Sequence, residues 1–220
     1  MARICALLCA LVVCAAAPSS QAAARKVIYI QPLGSKLPKA SVDLVKKSLE
    51  VFFGRPVRVL KRRPLPRAAW YKPRGRWRAE KLLDHLVKWL PADGQRILGL
   101  TASDISTTKG KYKDWGVLGL ATLDGRACVI SSFRAKRGRA RSKLHVRERL
   151  AKTAVHEIGH TFGLDHCPQR GCILEDARGK VSTTDGEYDI CPVCRAKLRK
   201  KGFVLPAKPK IPWRRPRRPR

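Results

Sequence analysis

Residues 155–166 read V-H-E-I-G-H-T-F-G-L-D-H. His156 and His160 stand four apart, so on a helix they share a face and can reach one metal ion. Glu157 adjoins the first of them, where a carboxylate can hold and deprotonate a water at the metal. The opposite face carries Leu150, Ala154, Ile158 and Phe162, an apolar stripe at helical spacing. The expected helix is therefore buried on one side and open to a site on the other. Gly163 lets the chain turn out of it, and His166 can swing back as a third ligand. Three histidines leave the fourth position of a tetrahedral zinc free for water, the arrangement of a catalytic site. The residues thus read as a catalytic zinc on His156, His160 and His166, with Glu157 as general base.

Downstream stand Cys167 and Cys172, then Cys191 and Cys194. A cysteine pair, a gap and a C-x-x-C is the layout of a closed tetrahedral zinc site. Two intervening residues suit chelation and suit a disulfide within the pair poorly. Two disulfides between the pairs are the competing reading, since export favours them. With zinc at both places the chain would carry two Zn2+, one catalytic and one structural.

The run H-E-I-G-H-T-F-G-L-D-H-C, four residues, C-I-L, then C-P-V-C resembles the archaemetzincins, minimal metzincin-like zinc peptidases with H-E-x-x-H-x-x-G-x-x-H-C-x4-C-x-M and a later C-x-x-C. The resemblance covers residues 155–194. It implies His156, His160 and His166 on the catalytic zinc, Glu157 as base, and Cys167, Cys172, Cys191 and Cys194 on a second zinc. It also implies a peptide or protein substrate. Two departures stand out. The family's methionine under the metal falls at Leu174, an apolar residue able to fill the same floor. The gap from Leu174 to Cys191 is sixteen residues where the family has seventeen.

Working outward, short β-branched runs alternate with amphipathic helices. Strands are expected at residues 27–30, 57–60, 97–101, 116–121 and 127–132, the last two joined by the Asp124-Gly125 turn. Helices are expected at 38–53, 79–90 and 142–163. His85, alone on the second helix, reads as structural, and Cys128 as a buried, inert thiol. The expected fold is α/β (α+β), zincin/metzincin-like. It comprises a mixed twisted sheet of about five strands, an active-site helix and a small C-terminal zinc-binding subdomain over residues 167–194. Residues 116–121 are the candidate edge strand for an extended peptide.

The remaining features concern location and charge. Residues 4–17 are apolar, too short for the ~20-residue bilayer span, and lead to a small-x-small site at Ala22 and Ala24. Residues 1–24 thus read as a signal peptide and the protein as exported, periplasmic or secreted. Lys+Arg 48 against Asp+Glu 16 gives +32, which predicts attraction to nucleic acid, anionic lipid head groups or acidic polysaccharide but no fold or reaction. Residues 61–78 interleave arginines with Trp70, Tyr71 and Trp77. They read either as an exposed loop with aromatics docked on the core or as a binding stretch. Residues 195–220 hold twelve basic residues and no acidic one. The catalytic domain is expected to span 25–203, and 204–220 to be a disordered basic Pro/Arg-rich tail. The function expected is that of a zinc metallopeptidase. The alternative is an exported, zinc-stabilised polyanion-binding protein with little or no catalysis.

Overall fold

The computed structural model describes residues 26–35 and 37–215. The expected signal peptide lies outside the described residues. In chain order these residues form β1 (Val27–Leu33), α1 (Lys39–Phe53), β2 (Val57–Val59), β3 (Trp70–Tyr71), β4 (Arg76–Arg78), α2 (Ala79–Trp89) and β5 (Gly94–Thr101). There follow β6 (Ile105–Lys109), β7 (Tyr112–Val117), β8 (Gly119–Ala121), β9 (Ala127–Ser131), α3 (Ser132–Ala135), α4 (Lys143–Thr161), α5 (Thr183–Gly186) and α6 (Pro192–Lys200).

The main sheet has five strands in the order β2-β1-β5-β9-β8. The first four are parallel and β8 runs antiparallel to β9 at the edge. Parallel strands covered on both faces read as continuous apolar runs, which is why Val27-Ile28-Tyr29-Ile30 is buried throughout. On one face lie α1 and α4, with Val45, Leu49, Phe52, Leu150, Ala154 and Ile158 packed on Ile28, Ile30, Leu98 and Ile130. On the other lies α2, with Leu82 and Leu86 against Tyr29, Ile97 and Val129. Helix α1 ends where Gly54, in the left-handed region at φ 59°, donates its N–H to the Glu50 carbonyl.

A second sheet was not legible as such in the sequence. It has four strands in the order β3-β4-β6-β7. Strand β6 (I-S-T-T-K) is polar at its outer end, and β7 (Y-K-D-W-G-V) is only partly covered, so neither shows an alternation strong enough to read. The single strand expected over 116–121 is in fact two. Gly116 and Val117 end β7 in the second sheet, the chain turns at Leu118, and β8 joins the main sheet. The basic stretch 61–78 is likewise part strand. Trp77 packs against the second core, Arg76 pairs with Asp104 and Asp114, and Trp70 stays 45% exposed on the Trp77 ring.

The expectation of a disordered tail fails for residues 204–213. Phe203, Leu205 and Trp213 are buried, and Trp213 stacks on Phe52 with centroids 5.3 Å apart. Its Nε1 donates to the Tyr188 carbonyl at 3.0 Å. A few apolar side chains finding slots on α1 suffice to hold a basic, proline-rich segment. Residues 195–200, the basic stretch just before it, are helical in α6.

Candidate active site

Helix α4 carries the site. Ser142 caps it by accepting from the His145 N–H at 3.1 Å, and its apolar stripe fixes its rotation on the sheet. His156 and His160 consequently face a cavity of about 730 Å³ beside β8. The helix stops at Thr161. Gly163 then adopts φ 73°, its N–H returning to the His160 carbonyl at 2.8 Å. A Cβ at Gly163 would lie 2.7 Å from Lys201 Nζ and 3.1 Å from Asp124 Oδ1. This turn brings His166 back, and one ligand atom from each of the three histidines falls within 4.8 Å of the others.

The backbone sets the tautomers. His156 Nδ1 donates to the Ile173 carbonyl at 2.7 Å, and His160 Nδ1 to the Leu164 carbonyl at 2.6 Å. Each neutral ring therefore presents a bare Nε2, and the two Nε2 atoms lie 2.9 Å apart. Burial lowers the pKa of His156 to about 3 and also lowers that of His160, so neither readily charges to place a proton between them. Two converging lone pairs on neutral imidazoles fit a cation, and carbonyl-anchored Nδ1–H groups are the usual partners behind metal-ligating histidines.

Glu157 is 7% exposed and opens on the same cavity. Burial pushes its carboxyl up to about 8; a nearby cation would oppose that and favour the carboxylate. Leu174 is fully buried, with Cδ1 3.0 Å from where a Cβ on Gly159 would sit. It packs against the turn of α4 that carries the histidines.

The four cysteines also converge. The sulfurs of Cys167, Cys172, Cys191 and Cys194 lie within 4.8 Å of one another and none is in a disulfide. Cys167 and Cys191 are 3.6 Å apart, close to the ~3.8 Å edge of a thiolate tetrahedron with ~2.3 Å zinc–sulfur bonds. Two backbone N–H groups point at sulfur, Cys191 at Cys172 and Cys194 at Cys191. Burial raises the thiol of Cys172 to about 12 and raises that of Cys194, while hydrogen bonds within the cluster outweigh burial and lower that of Cys191; a bound dication would favour the thiolate at all four.

Several residues that shape the site carried no sequence signal. Gly119 makes room for Glu157. Arg149, read as part of a basic run, is 1% exposed. Its guanidinium donates to the carbonyls of Ala135, Arg137 and Gly138 and to both Asp185 oxygens, tying together two walls of the cavity. Glu187 and Lys152 are buried side by side behind it. Their surroundings come from residues distant in the chain, which leave no pattern along the sequence.

Residues 39–200 match the model of peptidase family M54. An archaemetzincin of Methanopyrus kandleri is 31% identical over 159 residues, 72% of this chain and 86% of the relative. Its crystal structure superposes with a TM-score of 0.68 at 29% identity, covering 80% of this chain and 95% of that one. The archaemetzincin of Archaeoglobus fulgidus, crystallised with malonate, gives a TM-score of 0.65 at 31% identity over 78% of this chain and 99% of that one. A structure described as a zinc-dependent peptidase of Methanocorpusculum labreanum gives 0.65 at 25% identity, covering 77% and 99%. With the match spanning both sheets, α4 and the cysteine segment, this chain belongs to peptidase family M54, the archaemetzincins, and is a zinc metallopeptidase.

Proposed function

We propose that His156, His160 and His166 hold the catalytic zinc, that Glu157 is the general base, and that Cys167, Cys172, Cys191 and Cys194 hold a second, structural zinc. The observation that carries the reading is the pair of bare Nε2 atoms at 2.9 Å beside a buried carboxyl in one cavity. Bound there, zinc supplies Lewis-acid chemistry, acidifying water and polarising a carbonyl. The extended peptide pairs with the edge strand β8, whose outer side has no strand neighbour among the described residues. Glu157 takes the proton of the attacking water and returns it to the leaving amine.

The test is zinc per chain on the full protein, with His160→Ala and Cys191→Ser. Two zincs in the parent and one in each variant support two sites; no loss in His160→Ala would overturn the catalytic assignment. Glu157→Gln should keep its zinc while hydrolysis falls ~10²–10⁴-fold.

The sequence supports two further proposals. The apolar run before Ala22 and Ala24 supports export to the periplasm or medium, tested by N-terminal sequencing of the protein recovered there. The charge of +32 and the exposed Arg214 and Arg215 support an anionic partner held through the basic C-terminus. Salt-sensitive binding to heparin or nucleic acid that drops on deleting residues 214–220 would bear this out.

A further inference from the structure

We propose that the part of the active-site cavity lined by Glu187 is a subsite for a basic side chain of the peptide, lysine or arginine, and that Glu187 selects it. The proposal rests on the peptidase reading above and names a substrate class for that site.

Glu187 lines the same cavity as His156, Glu157 and His160, yet it is 2% exposed. Its Oε2 is buried and has no hydrogen-bond partner among the described residues. A buried carboxyl without a donor is costly unless something arrives to satisfy it. The protein does not supply that donor. Lys152, the nearest opposite charge, is also buried and donates its ammonium to the Thr184 carbonyl at 2.8 Å. The cations on the cavity walls are directed elsewhere. Arg134 is held by both oxygens of Asp104, while Lys109, Arg137 and Arg178 are exposed. In a chain of net charge +32, the cavity is thus lined by a buried acid with an unpartnered oxygen.

An ammonium or guanidinium on a substrate side chain would meet this carboxyl in a cavity that Val117, Leu120 and Val181 also line. Such walls suit the methylene stem of lysine or arginine, with the charge at the end. An arriving cation would favour the ionised form of the buried Glu187 carboxyl, and the resulting charge-assisted hydrogen bond would discriminate strongly against a side chain of equal length without a donor.

The experiment uses the zinc-loaded full chain and peptides that differ only at a residue beside the cleaved bond, carrying lysine, norleucine or glutamate. We expect kcat/KM for lysine to exceed that for norleucine by about tenfold to a hundredfold, with glutamate the poorest. In Glu187→Gln the lysine advantage should fall to within about threefold. In Glu187→Leu norleucine should overtake lysine. An unchanged lysine-to-norleucine ratio in both variants would overturn the proposal while leaving the peptidase reading intact. Binding of the same peptides to zinc-loaded Glu157→Gln, measured by calorimetry, separates the two ideas. A Glu187-dependent preference for lysine with no turnover in the parent would support the subsite and sink the peptidase mechanism. Equal binding of lysine and norleucine peptides would sink the subsite.

Discussion

Gly119 on the edge strand lies directly against Glu157. A Cβ built on Gly119 would fall 2.6 Å from both Cγ and Oε1 of Glu157. The missing side chain is what allows the carboxyl and the edge strand β8 to approach so closely. Gly119→Ala should push the carboxyl aside and lower kcat by ~10²-fold, since displacements of about 1 Å cost that much. Bound zinc should stay at the parent value, which elemental analysis checks; wild-type kcat with the alanine in place would refute the assignment.

The cysteine cluster ties the 167–175 loop to the N-terminus of α6, where the Cys191 side chain accepts from the Cys194 N–H. Cys191→Ser should lose one zinc per chain and lower Tm by roughly 10 °C or more, at about 2–4 °C per kcal/mol for a domain of this size. The second zinc should remain. Differential scanning calorimetry with metal analysis reads both.

Arg149 is sealed by Asp185, whose two oxygens accept from its Nε and Nη2 at 2.7 Å. Asp185→Ala strands a buried guanidinium and should cost ~3–5 kcal/mol. Urea unfolding of the zinc-loaded protein measures it; a loss under 1 kcal/mol by the same scale would show that the backbone carbonyls alone hold Arg149.

Trp213 fixes the end of the chain on Phe52 and on the Tyr188 carbonyl, next to Glu187. Trp213→Ala should destabilise by ~3–5 kcal/mol, whereas removing residues 214–220 should leave Tm unchanged. Equal, negligible effects of both changes would mean the docked segment contributes nothing to stability.

Burial, opposed by Lys152 and reinforced by Glu175 and Asp185, raises the Glu187 carboxyl from 4.5 to about 8. Between those values the folded chain holds a proton that the unfolded chain has lost, so Glu187 makes stability fall as pH rises, flattening above about 8. Lys152 acts in the opposite sense at higher pH, because burial lowers its pKa from 10.5. Glu187→Gln should be less sensitive to pH than the parent between pH 6 and 8, as guanidinium unfolding at each pH would show. A parent and variant with the same pH slope would contradict the burial of an ionisable carboxyl.

How much was legible follows from the range of the forces involved. His156 and His160 are read from spacing because a helix repeats every ~3.6 residues, whatever it packs on. The stripe of Leu150, Ala154, Ile158 and Phe162 fixes which way they face for the same reason. Cys167 to Cys194 are read because a metal demands a particular donor type and short chelate spacing. The strands of the main sheet are read because burial on both faces leaves apolar runs.

Local periodicity thus carries the histidine helix, the turn at Gly163, the cysteine pairs and the apolar runs of the main strands. Only the tertiary structure decided the rest. The second sheet is held by pairings between polar strands, Ile105 with Val117 among them. The room at Gly119 exists only because α4 arrives beside β8. Trp213 becomes core by meeting Phe52, 161 residues earlier in the chain. Glu187 becomes an unpaired acid only when the fold closes around it, because solvation depends on every neighbour in space while sequence pattern records only neighbours along the chain.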